Sequence, residues 1–122
     1  MSHEIFKLIP HQRVVTRKAE NEAMFDLYQF GTFNNHLITE NIELIELQRQ
    51  VEYSPHYHEK SSVVLYIIAG MGRIQLEKNF LEYKPGMRID IPMGMLHGFK
   101  TMTRTLVLSI HTPPLERNKK GK

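Results

Sequence analysis

The chain has 122 residues, 41% of them hydrophobic, with a formal charge of +3 and no cysteine. That length makes one domain with a core of its own, and the lack of cysteine excludes a disulfide framework and a thiolate metal site. The longest apolar run, Val63 to Ala69, is strand-sized and far short of a membrane span.

Much of the excess charge sits in Arg117, Lys119, Lys120 and Lys122. We therefore expect a single domain over 1–115 and a solvated, disordered basic tail over 116–122. No basic stripe with interleaved aromatics occurs elsewhere, so neither a nucleic-acid nor a membrane partner is expected. The first residues carry Glu4 and lack a signal peptide's apolar core, which makes the cytoplasm the default location.

In chain order, Ile5 to Ile9 reads as a short strand stopped by Pro10, and His11 to Arg17 as a second. Between Lys18 and Tyr28, Ala19, Ala23, Met24, Leu27 and Tyr28 fit a helical spacing, although Phe25, Leu27 and Gln29 also alternate as a strand would. Gly31 to Asn35 is a turn signal. Strands follow in quick succession: Asn41–Leu47, Val63–Ile68, Arg73–Glu77, Phe80–Tyr83, Met87–Ile91, His97–Lys100 and Thr105–His111. Turn residues separate them, with Lys78-Asn79 as a tight hairpin and Lys84-Pro85-Gly86 as a second turn. Many short strands and at most one helix predict an all-β sandwich or barrel.

Two stretches carry the candidate chemistry. His56 and His58 have the i, i+2 spacing that puts two imidazoles on one face of a strand. Downstream, Pro92 ends a strand's ladder and Gly94 permits a sharp bend, which brings His97 to the start of the next strand. Val63, Leu65 and Ile67 share one face and are expected to line an apolar pocket floor. Met95 and Phe99 share the parity of His97 and are expected beside it. Tyr53 and Tyr57 flank the first histidine pair as rim or acid–base candidates. His111 ends the last strand within reach of the site, although a structural role is the expectation for it. His3, His11 and His36 have no partner at ligand spacing.

Gly86-x5-Pro92-x-Gly94-x2-His97 resembles the second motif of the cupins, and Pro55-His56-x-His58 followed by Gly70-x-Gly72 resembles their first. The resemblance covers roughly residues 40–111 and implies a jelly-roll-like antiparallel β-barrel, the double-stranded β-helix, with ligands facing its mouth. It implies His56, His58 and His97 as metal ligands. Similar barrels pair through their N-terminal strands, which implies a homodimer involving residues 5–28. The chain departs from the pattern at three places: Val63 stands where the family has a ligand glutamate, Gln50 where it has glycine, and Thr101 where it has asparagine.

Three readings of Val63 stay open. The site is a three-histidine centre for iron, nickel, zinc, manganese or copper. Or Glu59 supplies a fourth ligand. Or no metal binds, and the histidines are a relic or contact a small-molecule ligand directly. The expected function is metal-dependent and dioxygenase-like, acting on a small oxygenated organic compound, because few internal acids are foreseen. The alternatives are a sugar-type isomerase, epimerase or lyase and a non-catalytic ligand-binding or sensor protein.

Overall fold

A computed structural model describes residues 13–34 and 36–113. The described residues contain nine strands: β1 (Arg13–Lys18), β2 (Met24–Asn34), β3 (Thr39–Leu47), β4 (Ser62–Ala69), β5 (Gly72–Leu76), β6 (Asn79–Tyr83), β7 (Arg88–Ile91), β8 (His97–Thr101) and β9 (Thr105–Thr112). They form a six-stranded sheet in the order β1-β2-β3-β9-β4-β7 and a three-stranded sheet in the order β6-β5-β8. Every pairing is antiparallel. The architecture is all-β and jelly-roll-like, as expected, but it is built as two sheets rather than as one closed barrel.

Alternation along the strands decides which face is buried. In β4, Val63, Leu65 and Ile67 are almost fully buried, while Tyr66 between them and Ile68 after them are exposed. Each buried side chain of this size contributes roughly 1.5–3 kcal/mol. Register carries the same face across the large sheet: Val63 pairs with His111, Leu65 with Ser109 and Ile67 with Val107. Those β9 residues pair in turn with Asn41, Glu43 and Ile45 of β3. Opposite them, Ile74 of β5 and Tyr83 of β6 close the core from the small sheet.

The helical spacing over Lys18–Tyr28 does not form a helix. Ala19–Ala23 is a tight turn, closed by hydrogen bonds from Ala19 N to Ala23 O and from Glu22 N to Ala19 O. β2 then starts at Met24, because Leu27 finds a buried place only as part of a sheet. The turn foreseen at Gly31–Asn35 is also displaced. Gly31, at φ 119°, sits in a bulge between Gln29 and Gly31 while β2 runs on to Asn34. The β5–β6 hairpin turns at Glu77-Lys78, one residue earlier than expected, with Leu76 paired to Asn79. The strand expected at Ile5–Ile9, His3, His11 and the basic tail lie outside the described residues. Among the described residues, no helix is long and apolar enough to cross a membrane.

Candidate metal centre

His56 and His58 lie on the irregular segment that links β3 to β4, rather than on a regular strand. That segment runs beside β8 as an extra edge of the small sheet. Thr101 N donates to Val51 O, Tyr53 N donates to Phe99 O, and His56 and His97 exchange two backbone hydrogen bonds of 2.8 Å. Cross-strand partners in such a bridge project to the same side, and the rings of His56 and His97 stand 4.4 Å apart, centre to centre. Gly98 makes the close approach possible, since a Cβ there would meet Pro55 Cα and Tyr53 O at 3.0 Å.

His58 is held from the other motif. Gly94 N donates to His58 O at 2.8 Å, and Gly94 takes φ 81°, a conformation that side chains resist. The ring of His58 lies 4.9 Å from that of His56 and 5.3 Å from that of His97. Each of the three residues offers one nitrogen, and these atoms all lie within 4.8 Å of one another.

The donor set suits a transition metal. His97 Nδ1 lies 3.0 Å from Met95 O; a carbonyl only accepts, so Nδ1 carries the proton and Nε2 keeps its lone pair. Burial pushes the His97 pKa below its usual 6.5, only partly offset by the bond to Met95. The ring is therefore kept in the neutral form that metals bind. Three neutral imidazoles fit iron, nickel, copper or zinc.

The three histidines open onto a cavity of about 350 Å³ between the sheets. Val63, Leu65 and Phe99 line it, while Ile67 and Met95 do not; Val63, Leu65 and Ile67 all belong to the core, against which Met95 and Phe99 pack. Tyr53 reaches the cavity wall, but its hydroxyl is used elsewhere: it donates to Met24 O and accepts from Gln48 N. Burial raises its pKa further. Tyr57 is 52% exposed and lies outside the cavity lining. Glu59 is exposed and is not in the histidine group. A larger groove of about 810 Å³, along Arg73, Glu82, Lys100 and Met102, contains none of the histidines.

Two further residues stand on the wall: His111, expected within reach of the site but in a structural role, and Glu43, which escaped the sequence reading. His111 is buried, with its ring 5.3 Å from that of His58. Glu43 is 1% exposed on the inner face of β3. Their parity was the available signal: His111 alternates in phase with Val107, and Glu43 with Ile45 and Leu47. The acid at 43 looks solvent-facing only when Leu44 is taken as the inward residue. Arg17 and Lys18 of β1 complete one edge of the cavity.

The three departures from the cupin pattern have visible consequences. Val63 is 3% exposed beside the histidines and offers no donor atom. Gln50 takes φ 54°, the left-handed region that favours glycine. Thr101 is buried, with its hydroxyl donating to Gln48 O and accepting from Val51 N.

No family model and no curated protein matches the chain. Solved structures do. KdgF from Halomonas sp. superposes with a TM-score of 0.69 at 17% identity, over 84% of this chain and 88% of that one. An RmlC-like cupin from Shewanella frigidimarina gives 0.67 at 19%, over 83% and 86%. Ectoine synthase from P. lautus gives 0.73 at 12%, over 99% and 86%. At these identities the likeness is one of fold, and the fold of this chain is that of the cupins.

Proposed function

We propose that the chain is a metal-dependent enzyme acting on a small oxygenated organic anion. The observation that carries this reading is the convergence of His56, His58 and His97 on the wall of a cavity of about 350 Å³. That volume is in the range of small-molecule sites. When bound there, the metal supplies a Lewis acid that polarises a substrate oxygen. Val63, apolar and buried, contributes no negative charge to offset the ion, which favours an anionic partner. Arg17 at the cavity edge adds positive charge there. Ectoine synthase is an enzyme of similar fold, which supports small-molecule chemistry in such a cavity.

The test is elemental analysis of purified protein beside a His97→Ala variant. The reading predicts about one transition-metal ion per chain in the wild type and a loss of at least tenfold in affinity in the variant. Wild-type protein that takes up no metal from iron, nickel, zinc, manganese or copper solutions would sink it.

Two chemistries suit a three-histidine centre: activation of dioxygen, and metal-assisted proton transfer of the isomerase or lyase kind. The oxygenase expectation rests on a cavity with few acids, and Glu43 is the one buried acid among the described residues on its wall. The proton-transfer reading gains from the same residue. We further propose a homodimer formed through residues 5–28, supported by the exposure of Val14 and Met24 on neighbouring strands. Sedimentation at high concentration tests it, and a strict monomer contradicts it.

A further inference from the structure

Among the described residues, Glu43 is the only acidic side chain that is buried, at 1% exposure. It lines the cavity that holds His56, His58 and His97. A carboxylate costs free energy to take out of water, and this one is held on a wall that also carries Ile45 and Leu65. Its cross-strand neighbours are polar: Gln29, whose Nε2 lies 3.4 Å from Glu43 Oε2, and Ser109, itself 1% exposed. One row along the sheet stands His111, whose ring faces that of His58. The carboxylate is not among the atoms clustered within 4.8 Å of one another. It is thus a cavity-wall group separate from the candidate ligand set.

We propose that Glu43 is a catalytic residue that moves a proton to and from a substrate carbon next to a carbonyl. The class of substrate is a small carboxylic acid bearing that carbonyl, and the class of reaction is proton transfer rather than oxygenation. This rests on the metal-centre reading above. The Glu43 carboxylate takes the proton from carbon. The C–H electron pair becomes the C=C bond of an enolate, and the carbonyl π pair passes to its oxygen. The protonated Glu43 then returns the proton to the same carbon as the carbonyl re-forms, so that no oxidant or reductant is consumed. Arg17, at the cavity edge, binds the substrate's carboxylate.

The experiment uses the full chain loaded with zinc, which has no redox chemistry, in deuterated water with pyruvate or 2-oxobutyrate as probes. Proton NMR reads deuterium entering carbon 3, against a free-zinc control. The wild type is expected to exchange. In Glu43→Gln the exchange is expected to fall by about a hundredfold or more, with zinc content and calorimetric affinity for pyruvate unchanged. Glu43→Asp keeps the acid but draws it back by one methylene, so it should exchange more slowly at full zinc content. That variant carries the test if the glutamine one does not fold. Exchange at the wild-type rate in Glu43→Gln, or loss of zinc from it, overturns the assignment. Oxygen uptake by iron-loaded protein on the same probes overturns it as well. A wild type that binds zinc and exchanges neither probe defeats the Glu43 proposal alone; one that binds no zinc defeats the metal reading too.

Discussion

His97 is a base whose folded environment suits the neutral form. Its pKa is lowered from 6.5, chiefly by burial. In metal-free protein the unfolded chain therefore binds the extra proton first. The contribution of His97 to stability is complete above pH 6.5 and is lost as pH falls from 6.5 through the lowered folded value. We expect the melting temperature of the metal-free protein to drop across that window, and to drop less in His97→Gln; equal slopes would contradict this. Gln50 offers a second test on one residue. It occupies φ 54°, a conformation that a side chain resists and glycine does not. Gln50→Gly is expected to raise stability by about 1 kcal/mol in urea unfolding, whereas destabilisation would show that the side chain supplies more than the strain removes. The histidines were legible in the sequence because spacing and turn residues mark them. Glu43 was not, since an acid in an alternating strand has no sign of its own and only the parity of Ile45 and Leu47 gives its direction.

At the scale of elements, the site depends on the segment 51–58 lying flat against β8. Hydrogen bonds at Thr101, Phe99 and His97 hold it there, and Asn21 Nδ2, reaching from the β1–β2 turn, bonds Glu52 O at 2.7 Å. Gly98 is the closest point of contact. Gly98→Val should push Pro55 away from β8, carry His56 out of alignment with His97 and lower metal affinity by about 10–100-fold. Far-ultraviolet circular dichroism should stay that of a β protein, and a variant with wild-type affinity would show that the segment is not what positions His56. Strands such as β4, β5 and β7 could be read from alternation and turn residues, because one face of each is buried. The region of 18–34 could not, for a physical reason. Ala19, Ala23 and Leu27 fit a helical spacing as well as a turn followed by a strand, and only pairing with β1 and β3 settles the matter.

The whole molecule couples its two motifs across two sheets. The bridge between His56 and His97 and the bond from Gly94 N to His58 O join segments about 40 residues apart in sequence. A metal bound to the native chain alone should therefore stabilise the entire fold by mass action, by about 2.7 kcal/mol at a hundred times the dissociation constant. For a domain of this size that is a rise in melting temperature of roughly 10 °C. Calorimetry with and without zinc checks it, and an unchanged transition in the wild type would count against a native-state site. The most direct test of the central claim is diffraction from metal-soaked crystals, recorded above and below the metal's absorption edge. The account predicts one anomalous peak among His56, His58 and His97, and none there in His97→Ala crystals. An absent peak, or a peak held by other residues, would contradict it.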